Sequence, residues 1–335
     1  MRASVIGSGS FGTALANVLA VNCEQVGLWG RDTALADAIN TRHENSGYLP
    51  GIPISPRVQA TTSLKAALEG AELVVLAAPS HATREVVSHA LPYLPKHAPL
   101  VTVAKGIENE TLLTMTELLE DCLPEEHHPY IAVLSGPSFA KELAQRMPTV
   151  VTIASHWDKV AVRCQKALQT ETFRSYTSND VVGVQYGGAL KNVIAIAAGI
   201  ADGLGMGHNA RAAIITRGLA EITRLAVRKG GNPLTLSGLS GMGDLVLTCT
   251  GELSRNRHVG MELGRGRVLQ EILGDMKQVA EGVKTAKSAR DLSRKVGVEL
   301  PICDQVYAIA YEGKSARAAV VELMTRQPKS ELSGG

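Results

Sequence analysis

The chain opens on a strand that runs straight into a glycine-rich turn and a helix. Ala3–Ile6 is an apolar, β-prone run. Gly7-Ser8-Gly9-Ser10-Phe11-Gly12 follows with no spacer, and Phe11–Ala20 continues at helical spacing. A GxGxxG alone is weak, an ordinary glycine-rich βα turn being the plain alternative. Its weight comes from the strand before it and the helix after it. In that setting Gly7 permits the tight turn, Gly9 lets the backbone approach a pyrophosphate, and Gly12 lets helix and strand pack closely. The N–H groups of the helix start are then offered to phosphate.

The same alternation continues to about residue 176. Further strands are expected at 25–29, 72–77, 100–104, 130–134, 149–154 and 172–176, with helical stretches at 64–68, 83–90, 112–119 and 159–168. Leu73-Val74-Val75-Leu76 is apolar at every position, as in strands covered on both faces. After Asp180 strand signals become scarce, and helices are expected at 181–200, 208–229, 255–263, 267–273, 282–296, 302–310 and 315–324. The fold class is therefore α/β: an N-terminal Rossmann-like, doubly wound, mostly parallel sheet over 1–180, followed by an all-helical C-terminal domain over 181–335. The end of the chain, 327–335, is polar.

Composition limits what this fold can serve. With 34 Lys+Arg against 32 Asp+Glu, a general nucleic-acid or membrane-surface binder is disfavoured, and any anion must be held by local groups. Five widely spaced cysteines suit neither a disulfide framework nor a structural zinc site, and fit a cytoplasmic protein. The histidines show no metal-ligand spacing with carboxylates, so no metal is expected. The longest apolar run, Val193–Ala201, is too short to span a bilayer, and the glycines and serines at 7–10 interrupt any signal-peptide core.

Several residues carry candidate chemistry. The second strand ends Leu28-Trp29-Gly30-Arg31-Asp32. Gly30 stands about where an NAD-selecting acid would be, and Arg31 could hold an adenosine 2′-phosphate, so NADPH is expected to be preferred over NADH. The alternative makes Arg31 a solvated charge and Asp32 the ribose acceptor. Lys191 lies in Gly187–Ala198, a stretch otherwise apolar or small apart from Asn192. A desolvated lysine has a lowered pKa suited to proton transfer, whereas a snorkelling lysine at a domain edge would keep its charge in water. Ser254-Arg255-Asn256-Arg257 opens a helix and could hold a phosphate, or simply cap the helix with Arg255 and Arg257 as a solvated pair. Asp244, in a glycine-flanked loop, could orient a lysine, accept from a substrate hydroxyl or form an Asx turn. Lys105 and the segment Ser135–Ala140 follow strand ends, where α/β sheets bind ligands.

Taken together, GSGSFGTALA at 7–16, AKG at 104–106, LSGPSFAKE at 134–142, GALKNVIAIAAGI at 188–200, DGLGMGHNARAAIITRGLAE at 202–221, GLSGMGDLVLTCTGELSRNR at 238–257 and VAEGVKTA at 279–286 resemble the bacterial-type NAD(P)-dependent glycerol-3-phosphate dehydrogenases. The likeness covers nearly the whole chain. GALKN with GDL…TC…SRN is far more specific than the glycine fingerprint. The departures are Gly251, Met206 and His208, the last leaving its loop in question. The resemblance implies reversible hydride transfer between dihydroxyacetone phosphate and sn-glycerol 3-phosphate, supplying phospholipid synthesis, with Lys191 as catalytic acid/base. It implies substrate contacts at Lys105, Gly136, Ser138, Lys191, Asp244, Ser254, Arg255 and Asn256. It implies cofactor contacts at Ser10, Phe11, Arg31, Lys105, Ala140, Arg255, Val279 and Glu281, beside Gly7, Gly9 and Gly12. A homodimer is implied as well. The competing readings are a 6-phosphogluconate- or 3-hydroxyacid-dehydrogenase relative and a non-catalytic NADP sensor.

Overall fold

A computed structural model of the chain describes residues 1–276, 279–328 and 330–331. Residues 329 and 332–335 of the polar tail lie outside the described residues. The chain packs as two compact units, Met1–Ala104 with Met115–Val181, and Lys105–Thr114 with Val182–Gly335.

In the first unit the elements in chain order are β1 (Arg2–Ile6), α1 (Ser10–Asn22), β2 (Gln25–Trp29), α2 (Thr33–Arg42), β3 (Glu44–Asn45), β4 (Leu49–Pro53), β5 (Val58–Thr61), α3 (Leu64–Leu68), β6 (Leu73–Leu76), α4 (Thr83–Ala90), β7 (Leu100–Thr102), α5 (Met115–Cys122), β8 (Ile131–Ser135), α6 (Ala140–Ala144), β9 (Thr149–Ala154), α7 (Asp158–Leu168) and β10 (Phe173–Ser178). Eight strands form one sheet in the order β10-β9-β8-β7-β6-β1-β2-β5. The apolar strands feed two cores, because successive side chains point to opposite faces. Ala3, Val5, Leu73, Val75, Val101, Ala132 and Leu134 pack on one side with α1, α2 and α7. Ile6, Val74, Leu76, Leu100 and Ile131 pack on the other with α3, α4 and α5. That two-sided burial is why these strands lack a polar face.

All seven expected strands are present, and the sheet contains more. β5 joins it beside β2, and β3 and β4 form a separate antiparallel ribbon. Val58-Gln59-Ala60-Thr61 alternates in polarity over only four residues, too short a signal to stand out. One pairing, β8 with β9, is antiparallel.

The second unit is helical: α8 (Val181–Gly203), α9 (Gly207–Arg228), α10 (Pro233–Leu236), α11 (Asp244–Thr250), α12 (Arg255–Gly264), α13 (Leu269–Asp275), α14 (Glu281–Val296), α15 (Pro301–Tyr311) and α16 (Ala316–Met324). Val193–Ala201 is the middle of α8, which at 23 residues is long and apolar enough to cross a membrane by composition alone. Here it is instead the centre of the unit's core, buried around nearly its whole circumference.

Glycines let other elements reach the α8 backbone. A methyl group on Gly199 would lie 2.1 Å from the Arg257 carbonyl oxygen, and one on Gly203 2.3 Å from that of Met261. Reciprocally, methyls on Gly260 and Gly264 would lie 2.1 Å and 2.4 Å from the Ile196 and Ile200 oxygens. The two helices α8 and α12 thus touch backbone to backbone through glycines four residues apart in each. Farther up α8, a methyl on Gly187 would lie 2.4 Å from the Ser240 oxygen. Ser240 belongs to a π-helical turn, Leu239–Gly243, that leads into α11.

Candidate active site

The charged centre of the second unit is built on α8 and α11. Asp244 and Thr248 are four residues apart on α11 and share a face. The expected loop at Asp244 is in fact the entry to this helix. Contact at Gly187 brings α11 against α8, so Lys191, one turn along, meets both side chains. Lys191 Nζ lies 2.7 Å from Asp244 Oδ1 and donates to Thr248 Oγ1 at 2.7 Å. Thr248 in turn donates to the Asp244 carbonyl oxygen at 2.6 Å. Lys105 Nζ donates to the other carboxylate oxygen, Asp244 Oδ2, at 2.6 Å. One carboxylate, 1% exposed, therefore bridges two ammonium groups.

Lys105 reaches this place because residues 105–114 pack with the second unit, although strand and helix alternation places them with the first. Ser288 on α14 donates to the Ile107 carbonyl oxygen at 3.1 Å and ties the segment down.

The electrostatics follow from burial and pairing. Lys191 is 6% exposed, so it does not snorkel. Burial pushes its ammonium down from 10.5 to about 8, Asp244 opposing the shift and Lys105 adding to it. Burial alone would raise the Asp244 carboxyl, but Lys105 and Lys191 outweigh it and hold Asp244 below its ordinary value.

A buried amide chain extends from this centre. Asn192 donates to the Lys105 carbonyl oxygen at 3.4 Å and accepts from Asn256 Nδ2 at 2.9 Å. Asn256 Oδ1 accepts from Gly282 N at 2.9 Å, serving the first turn of α14 beside Glu281. Ser254 caps α12, accepting from Arg257 N at 3.2 Å. Arg257 is not a solvated partner of Arg255: its Nε and Nη2 both lie 2.8 Å from Asp202 Oδ2. Arg255 itself is exposed, and Val279 is 38% exposed. His208, where the family likeness weakens, contacts Arg211, which pairs with Asp202.

Lys105, Lys191, Asp244 and Asn256 thus converge, directly or through Asn192. Sequence reasoning assigned no role to Asn192 or Thr248. For Asn192 the available signal was a second polar residue in an apolar helix; for Thr248 it was the i+4 spacing from Asp244.

In the first unit, Gly7 has φ 125° and a methyl there would lie 2.7 Å from the Ala77 backbone; one on Gly12 would lie 1.9 Å from the Gly7 oxygen. By contrast nothing approaches within 4 Å of a methyl on Gly9, the N-cap of α1, which has no side-chain cap. An open, uncapped helix start over close-packed glycines fits a pyrophosphate. Ser10 and Phe11 open α1, and Ala140 opens α6. Gly136 has φ 144°, and a methyl there would meet Val151 Cα at 2.9 Å. Ser138 Oγ donates to the Gly136 oxygen at 2.9 Å. Arg31 is exposed, whereas Asp32 Oδ1 caps α2 by accepting from Leu35 N at 3.1 Å.

A doubly wound sheet with this loop, together with a helical unit holding a buried lysine–carboxylate pair, defines a dinucleotide-dependent dehydrogenase. Residues 2–161 match the family described as NAD-dependent glycerol-3-phosphate dehydrogenase N-terminus, and residues 180–321 the corresponding C-terminus. The chain is 83% identical to a glycerol-3-phosphate dehydrogenase [NAD(P)+] of Myxococcus xanthus, covering all of both chains. It is 57% identical to one from Anaeromyxobacter dehalogenans, over 99% of this chain and 100% of that one. A crystal structure of the Coxiella burnetii glycerol-3-phosphate dehydrogenase superposes with a TM-score of 0.91 at 38% identity, covering 97% of this chain and 99% of that chain. The chain belongs to the NAD-dependent glycerol-3-phosphate dehydrogenase family. Among the described residues no group of three or more His, Cys, Asp or Glu is placed to hold a metal ion.

Proposed function

We propose that this chain catalyses the reversible, NAD(P)-dependent reduction of dihydroxyacetone phosphate to sn-glycerol 3-phosphate, with Lys191 as the proton donor. The observation that carries the reading is the buried Lys191–Asp244–Lys105 cluster. The bound nicotinamide supplies the hydride that reaches the ketone carbon. Lys191 has three N–H donors. Asp244 and Thr248 engage two of them, which leaves one for the substrate oxygen. As that oxygen gains charge, the ammonium stabilises it and gives up its proton. In the reverse direction neutral Lys191 takes the proton back. A pKa near 8 suits both roles near neutrality, and Asp244 keeps the Lys191 amino group oriented in either direction.

Arg255, with Ser254 and Asn256 at the start of α12, is assigned to the substrate phosphate. Lys105 and Asp244, with Gly136 and Ser138, are assigned to the rest of the substrate. The loop Gly7–Gly12 with Ser10 and Phe11 is assigned to the cofactor phosphates. Arg31 would take the 2′-phosphate of NADPH, an assignment supported by the use of Asp32 as a helix cap. Ala140, Val279, Glu281, Lys105 and Arg255 complete the cofactor set by resemblance. A cytoplasmic homodimer supplying phospholipid synthesis belongs to the same reading.

The test is oxidation of NADPH by the purified protein with dihydroxyacetone phosphate, beside Lys191→Ala. Turnover that disappears in the variant supports the reading. Near-native turnover by Lys191→Ala removes Lys191 from the chemistry, and absence of turnover in the unaltered protein removes the substrate.

A further inference from the structure

In dinucleotide-binding sheets, the residue just beyond the second strand meets the adenosine ribose, and an acid there selects the unphosphorylated 2′-hydroxyl. In this chain that position is Gly30, which is buried and has no side chain. A methyl group on Gly30 would lie 2.1 Å from Ser8 Oγ and 2.9 Å from Ser8 Cβ. Rotating the hydroxyl away relieves the first contact and not the second, because the backbone fixes Cβ.

Neither backbone is free to give way. Gly7 N donates to the Trp29 oxygen at 2.9 Å, and Gly30 N donates to the Thr61 oxygen at 3.1 Å. The end of β2 is thus held by the phosphate loop on one side and β5 on the other. Ser8 is pinned through its carbonyl oxygen, which accepts from Asn45 Nδ2 at 2.8 Å and Thr13 Oγ1 at 3.2 Å. Asn45 is fully buried and also donates to Thr13 Oγ1 at 2.8 Å. Asp32, the next acid along, is engaged as the α2 cap.

We propose that Ser8 is a specificity-determining residue for the cofactor. Its side chain occupies the space that an acid at position 30 would need. The adenosine end is therefore left to Arg31, and the 2′-phosphorylated cofactor is favoured. This rests on the reading of Gly7–Gly12 and the end of β2 as the cofactor site.

The experiment measures dissociation constants of NADPH and NADH by cofactor fluorescence, without substrate. The proteins are wild type, Ser8→Gly, Gly30→Ala, Gly30→Asp, and each position-30 variant combined with Ser8→Gly. Melting temperatures accompany each. Gly30→Ala is expected to weaken both cofactors by about tenfold or more, from overpacking at the loop. Combined with Ser8→Gly it should return to within about threefold of Ser8→Gly alone, because the two sites share one contact. Gly30→Asp with Ser8→Gly should shift the NADPH/NADH preference toward NADH by about tenfold or more, since the new carboxylate accepts from a hydroxyl and repels a phosphate. Gly30→Ala binding both cofactors like wild type overturns the proposal. So does a folded Ser8→Gly/Gly30→Asp protein with unchanged preference. Arg31→Ala separates the two layers. If it leaves the NADPH/NADH ratio unchanged, the underlying assignment of the ribose end fails. If it lowers the ratio while Gly30→Ala is harmless, only the role of Ser8 fails.

Discussion

Gly260→Ala sets two opposing effects against each other, and the structure decides between them. Helix propensity alone favours alanine over glycine in a helix interior by roughly 0.5–1 kcal/mol. At Gly260, however, the new methyl would lie 2.1 Å from the Ile196 oxygen and 2.9 Å from both Ile196 C and Ile200 N. All three are backbone atoms, so no side chain can swing away. Reaching even 3.0 Å from the oxygen requires α8 and α12 to part by about 1 Å (3.0 − 2.1). Such overpacking costs about 1–3 kcal/mol. The net loss is then about 0–2.5 kcal/mol, or at most roughly 10 °C in melting temperature for a unit of this size. The separation would also stretch the 2.9 Å Asn256–Asn192 bond beyond hydrogen-bond range and move Arg255 relative to Lys191. A displacement of that order can lower kcat/KM for dihydroxyacetone phosphate by up to about 100-fold. Gly274→Ala on α13 is the control, because nothing lies within 4 Å of its added methyl. It should stabilise the protein by up to about 1 kcal/mol and leave kinetics unchanged. Thermal melts and steady-state kinetics on both variants decide the matter. If Gly260→Ala melts higher, as Gly274→Ala should, and keeps its kcat/KM, the close-packing argument is wrong.

Other perturbations should read out separate parts of the site. Lys191→Ala should lower turnover by about 10²–10⁴-fold while NADPH affinity, measured by fluorescence, is retained. The pH dependence follows from the sign of the Lys191 shift: ketone reduction needs the ammonium and should fall as pH rises through about 8, whereas alcohol oxidation should rise through the same range; coincident profiles in the two directions would count against Lys191. Arg255→Ala should chiefly raise KM for dihydroxyacetone phosphate, and a change confined to the cofactor constant would remove it from the phosphate site. Glu221 is buried and accepts from Ile302 N at 2.7 Å and Cys303 N at 3.2 Å, and burial raises its carboxyl from 4.5 to about 7 despite those bonds. The folded state therefore holds this proton longer than the unfolded one, so its contribution to stability is complete below 4.5 and is lost as pH rises through 7. Glu221→Gln should flatten the melting temperature over that window, and an unchanged slope would show that other groups set it.

The features legible in the sequence lie within contiguous residues. The apolar strands, the loop Gly7–Gly12 and the unusual Lys191 were legible because strand and helix periods are written in neighbouring positions. β5 escaped because four half-polar residues carry too little period, and the ribbon β3–β4 for the same reason. The centre of the site was decided by tertiary structure. Asp244 meets Lys191 across 53 positions (244 − 191) and Lys105 across 139. Neither spacing leaves a local trace. Lys105 could be read only as the end of a strand until its segment packed with the second unit. The glycines of α8 and α12 appear in sequence as weak helix formers. Only packing shows that a Cβ at those positions would collide with another helix's backbone, and that α12 meets α8 where Asn256 bonds Asn192, the residue after Lys191.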